Sequence, residues 1–139
     1  MDDPFDLQRY LDAQAQVYER VCAELRSGRK TSHWMWFVFP QIHGLGSSPM
    51  SRRFAISSAR EANAYLDHAI LGARLQECCR ILMQTEDRSA HDIFGSPDDL
   101  KLHSSMTLFA NVAVQNRSFT DMLGKYFHGG LDRATLERL

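Results

Sequence analysis

The stretch GSPDDLKLHSSMTLFANVAVQN, Gly95 to Asn116, sets the architecture of this 139-residue chain. Ser96 stands where an N-cap belongs, Pro97 at the first helical position and Asp99 three residues after the cap. All three suit the exposed donors and positive end of a helix start. Leu102, Met106, Phe109 and Ala113 then form one stripe. From Met106 to Val114 the segment is apolar nearly all round, interrupted by Thr107 and Asn111, which is the pattern of a helix in the middle of a core.

Other helices are needed to wrap it, and the remaining sequence supplies their punctuation. Leu7, Leu11, Val17, Val21 and Leu25 keep to one helical face that Gly28 ends. Ser58 and Glu61 stand at capping-box spacing, and Leu71, Leu75, Cys78 and Leu82 make a further stripe. Ser118 with Asp121 opens another helix, Gly129 and Gly130 close it, and Asp132 starts the last one. No segment alternates as a strand bounded by hairpin turns. The expectation is an all-α domain over residues 1–139, with about six helices around a buried central one. One long Gly/Ser/Pro loop, Pro40 to Ser51, interrupts it.

Composition agrees with a globular class: 44% hydrophobic and 24% charged residues. Lys plus Arg (16) nearly cancels Asp plus Glu (17), which argues against nucleic acid as the partner. The longest apolar run has six residues, too short to span a bilayer, and the acidic N-terminus lacks a signal core, so a cytoplasmic location is expected. Cys22, Cys78 and Cys79 form no disulfide or metal framework, and no histidine pair has ligand spacing. No metal and no cofactor are expected.

The aromatic mass is concentrated in KTSHWMWFVFPQ, Lys30 to Gln41. Ser32 as N-cap before a short buried helix is one reading and a buried strand the other; the helix is preferred, because no second strand offers itself as partner. Phe37 and Val38 read as core. Trp34 and Trp36 each carry an N–H that wants an acceptor, and His33 and Gln41 frame them beside the glycine loop, as polar groups frame a small-molecule pocket. Gly44, Gly46 and Ser47 offer backbone donors for an anion, with Arg52 and Arg53 following. On the central helix, Lys101, Ser104 and Ser105 sit near the entrance to the core. A binding face and plain close packing are both open there.

The motifs SHWMWFVFPQIHGLG, EANAYLDHAILGARLQEC, IFGSPDDLKLHSSMTLF and GGLDRATLERL resemble the successive motifs of domain-of-unknown-function family 1810 along nearly the whole chain. That resemblance implies a single helical domain and names no activity. WMWFVFP, EANAYL, LGARL and KLHSSMTLF are also similar in order to the motifs of the NADAR family, with Glu61 where that pattern favours lysine. This more distant similarity implies ADP-ribose-related ligands and cleavage of N-glycosidic bonds.

Two functions follow as expectations. One is a small enzyme or sensor for a nucleotide-like ligand. Trp34 or Trp36 would stack a ring, with Ser32, Gln41, Gly44, Gly46, Ser47, Arg52, Arg53, Ser104 and Ser105 as binding groups. His33, Glu61, Lys101 or Asp132 would supply the chemistry. It requires His33, Trp34, Lys101 and Ser105 to converge on one cleft. The other is a protein-interaction module marked by an exposed apolar patch.

Overall fold

The computed structural model describes residues 2–139, which form ten helices: α1 (Gln8–Ala15), α2 (Tyr18–Arg26), α3 (Met35–Val38), α4 (Pro49–Arg53), α5 (Ala59–Asp67), α6 (Leu71–Gln84), α7 (Ala90–Phe94), α8 (Asp98–Val112), α9 (Arg117–Phe127) and α10 (Arg133–Leu136). The all-α expectation holds. The count of about six does not, because four helices of only four or five residues, α3, α4, α7 and α10, join six longer ones. The extended pairing among the described residues is one isolated parallel bridge, Ile42 to Ile56, which ties the two sides of the long loop together.

Helix α8 is the central helix. Leu102 and every residue from Ser104 to Ala110 are buried, and α5, α7, α9 and α10 pack on it. An all-round apolar helix finds its place where neighbours cover every face. Helices α6 and α9 complete one side, α2 backs α6, and α1 meets α3. Gly72, at the corner where α5 turns into α6, is forced by contact: a Cβ there would lie 2.0 Å from the Leu66 carbonyl oxygen.

Local punctuation differs from the expectations in four places. The first helix breaks between Ala15 and Tyr18, so the single face read from Leu7 to Leu25 belongs to two helices. Pro97, not Ser96, takes the N-cap position of α8. Asn116 takes that of α9, and neither Ser118 nor any other side chain caps it. The aromatic run is indeed a helix, but Trp34 is its N-cap and Ser32 serves elsewhere. Asp132 caps α10, accepting from Thr135 N–H, and Ser58 caps α5, accepting from Glu61 N–H, but the Glu61 carboxylate bonds Ser57 and Arg9 and does not complete the expected box. Cys22, Cys78 and Cys79 are free and buried. No helix among the described residues is long and apolar enough to cross a membrane.

Candidate functional site

Glu24 on α2 organises the approach to the aromatic block. It is three residues beyond Val21 on an apolar face and almost fully buried. One oxygen accepts from the N–H groups of Thr31 (2.7 Å) and Ser32 (3.1 Å) and from Trp34 Nε1 (2.9 Å); the other accepts from Ser32 Oγ (2.5 Å). Burial pushes the carboxyl up, but the Ser32 hydroxyl, the Thr31 amide and the Trp34 indole outweigh it and hold it at about 2. Trp34 is thereby fixed, with its ring packed against Phe39 and Phe94.

The next link is Lys30. Its side chain is 6% exposed, and Nζ donates to the Ser32 carbonyl at 2.6 Å, lies 4.9 Å from the Trp34 ring centre and meets Asp98 Oδ2 at 2.8 Å. The other oxygen of Asp98 faces Lys101 Nζ at 3.5 Å. Lys101 in turn lies 5.0 Å over the Trp36 ring. One carboxylate at the start of α8 therefore serves two lysines. The closer contact goes to the buried one, which leaves Lys101 more loosely held at the surface.

On the opposite side, α10 and the turn before it close over α8. The N–H of Asp132 donates to Thr107 Oγ1 at 2.9 Å. Asp132 Oδ2 accepts from Ser104 Oγ (2.8 Å), Thr135 N–H (3.3 Å) and Thr135 Oγ1 (2.5 Å). His103 stacks on Phe127 and meets the Gly130 carbonyl at 2.7 Å, holding the preceding turn. Three donors on Oδ2 orient the carboxylate, while Oδ1 takes no hydrogen bond among the described residues.

Between these walls opens a cleft of about 270 Å³. Gln41, Lys101, Ser104 and Asp132 are its polar lining, and Leu45, Pro97, Leu100 and Ala134 its apolar lining. Gln41 also borders a constriction with Trp36, Gly44, Gly46 and Ser51, and Ala55 lines both that constriction and an open depression beside Arg9, Arg53 and Glu61. The Trp36 N–H is buried with no acceptor among the described residues, and the Ser105 hydroxyl is buried with no partner among them. Gly44, at φ +88°, lies under the Arg138 guanidinium, which a Cβ would strike at 2.2 Å.

The structure thus joins some expected site residues and separates others. Lys101, Ser104, Asp132 and Gln41 share the cleft, with Trp36 against Lys101. His33 is exposed and does not line the cleft, and Trp34 is core, so the expected convergence of His33, Trp34, Lys101 and Ser105 does not occur. Ser32 is committed to Glu24 and Ser105 is fully buried. Glu61 is held by Arg9 at 2.8 Å and accepts from Ser57 N–H and Oγ, which makes it an anchor for the N-terminal segment. Arg52 and Ser47 are exposed, and Arg53 lies over Phe54 rather than reaching the Gly44 loop. Glu24, Lys30, Asp98 and Arg138 escaped the sequence reading. For Glu24 the available signal was a carboxylate on the flank of an apolar stripe, which requires donors.

Fold and cleft define a small all-helical protein with a polar cleft between a central helix and a C-terminal cap. The chain belongs to the family described as protein of unknown function (DUF1810), whose profile matches residues 4–139. Its fold is similar to that of the conserved hypothetical protein Rv1873 from Mycobacterium tuberculosis, with 58% sequence identity, a TM-score of 0.97 and coverage of 99% of this chain and 98% of that one. No curated protein matches the chain.

Proposed function

We propose that the cleft binds a nucleotide-like small molecule, of ADP-ribose type, and acts on its N-glycosidic bond. The observation that carries this reading is the meeting of Lys101, Asp132, Ser104 and Gln41, drawn from three separate stretches, in one cleft beside the Trp36 indole. An ammonium and a carboxylate on facing walls suit a ligand with an anionic group and hydroxyls. The free Oδ1 of Asp132 suits the cationic sugar of a glycosidic transition state. In the hydrolysis the C–N bond breaks with its electron pair on nitrogen, and water oxygen bonds to the sugar carbon. The proton released by water balances the one delivered to the leaving nitrogen, for which Lys101 is the donor within the cleft.

Isothermal titration with ADP-ribose and related nucleotides tests the reading, with Lys101→Ala and Asp132→Asn alongside. Binding by the wild type and a loss of tenfold or more in both folded variants is expected. A wild type that binds none of these ligands sinks it.

A second reading has its own observation. Leu100, Leu131, Leu136 and Leu139 are exposed, and they lie on the segments that border the cleft. A protein-interaction module would use exposed apolar side chains of this kind. Wild-type protein that binds no nucleotide but self-associates or captures a partner through these leucines would favour it.

A further inference from the structure

We propose that the indole N–H of Trp36 is a ligand-reading donor, and that the cleft ligand extends past Gln41 to place an oxygen acceptor on it. The inference rests on the cleft reading and adds a contact that neither the family nor the aromatic composition assigns.

Three observations carry it. Trp36 Nε1 is buried without an acceptor among the described residues. A buried donor left without an acceptor is costly, so native structures keep few of them, and those few ask for an explanation. The other indole shows the alternative: Trp34 Nε1 is matched to Glu24 at 2.9 Å. Two tryptophans two residues apart are thus treated in opposite ways.

The second observation is where Trp36 stands. It lines a constriction of about 10 Å³, room for one oxygen atom and little more. Gln41 lines both that constriction and the 270 Å³ cleft, so a ligand held by Lys101 and Asp132 needs to reach past one side chain to arrive there.

The third is how the walls are built. A Cβ on Gly46 would meet Ser51 Oγ at 2.6 Å, and one on Gly44 would meet Arg138. Absent side chains let the loop lie close to Ser51 and Arg138, which pack where a Cβ would stand. The Trp36 ring is meanwhile held by the Lys101 ammonium 5.0 Å from its centre, so its position is set from the cleft side. The acceptor fits a single oxygen, phosphoryl or carbonyl, that projects from the ligand into the constriction while the rest of the ligand stays in the cleft.

The test replaces Trp36 by benzothienylalanine, which keeps the bicyclic ring and the Lys101 contact and puts sulfur in place of the N–H. Trp36→Phe is the simpler companion. Melting temperature without ligand and affinity for ADP-ribose are both measured. A donor kept for the ligand predicts an unchanged or slightly raised melting temperature for the benzothienyl protein, and an affinity lowered about 3- to 10-fold, the worth of one neutral hydrogen bond. Unchanged affinity in a protein whose wild type binds ADP-ribose overturns this inference and leaves the cleft reading standing. A lowered melting temperature with unchanged affinity overturns it too, and gives the N–H to a structural water. A wild type with no affinity for ADP-ribose overturns the cleft reading and this inference with it.

Discussion

Two neighbouring regions use similar side chains in opposite ways. Around Glu24, Thr31, Ser32 and Trp34 all donate to a single buried carboxylate. Around Lys101 and Asp132 the polar groups keep capacity in reserve: Lys101 is 3.5 Å from an aspartate more tightly held by Lys30, and among the described residues one oxygen of Asp132 has no partner and the Trp36 N–H no acceptor. The first region is finished within the protein, whereas the second has bonds left to make. Residue type does not distinguish them, since each contains a tryptophan, a lysine, a carboxylate and a serine. The supply of donors to each carboxylate does.

The largest effect that would break this contrast is at Glu24. Glu24→Ala strands the Thr31 and Ser32 amides, the Ser32 hydroxyl and the Trp34 indole, and is expected to cost roughly 3 kcal/mol or more in urea unfolding. A loss below about 1 kcal/mol would show that the region is not closed in the sense described.

The same carboxylate gives a pH signature. Its folded-state value of about 2 lies below its ordinary 4.5. Its stabilisation is therefore full above pH 4.5 and lost progressively as pH falls toward about 2. Unfolding followed across that window should show wild type losing more stability than Glu24→Gln. Parallel curves would remove the hydrogen-bonded carboxylate from the account of acid stability.

Asp98 and Lys101 sharpen the comparison, because one side of their contact is buried and the other is not. Asp98→Ala leaves the Lys30 ammonium, 6% exposed, without its carboxylate, and should cost about 2–3 kcal/mol. Lys101→Ala should cost about 0.5–1 kcal/mol, mostly through the Trp36 contact, yet reduce nucleotide binding more than any stability change explains. Equal stability losses in the two variants would erase the distinction between anchor and reserve. The smallest effect is at His33. Exposed and outside the cleft lining, it should tolerate His33→Ala within about 0.5 kcal/mol and with unchanged ligand affinity.

Helical punctuation and the apolar girth of Met106–Ala110 were enough to read an all-α chain around α8, because both follow from neighbours three or four residues apart. The break between α1 and α2 was not legible, since the stripe continues through it. For the site, Lys101, Ser104, Asp132 and Gln41 were singled out by residue type, and Asp132 also as a cap. Their assembly into a cleft was not readable, nor was the removal of Trp34, Ser32 and Glu61 from it.

By itself, then, the sequence determined the all-α class, the central place of α8 and the stretches that hold the longer helices, because these depend on spacing within a segment. Only the tertiary structure decided which polar residues have partners. Glu24 reaches Trp34 from ten residues away, and Arg9 reaches Glu61 from fifty-two. A side chain whose hydrogen bonds are completed by a distant segment supports the fold, and one left with a free oxygen or an unmet N–H can bind a ligand. That balance is set by contacts between segments, which no local pattern records.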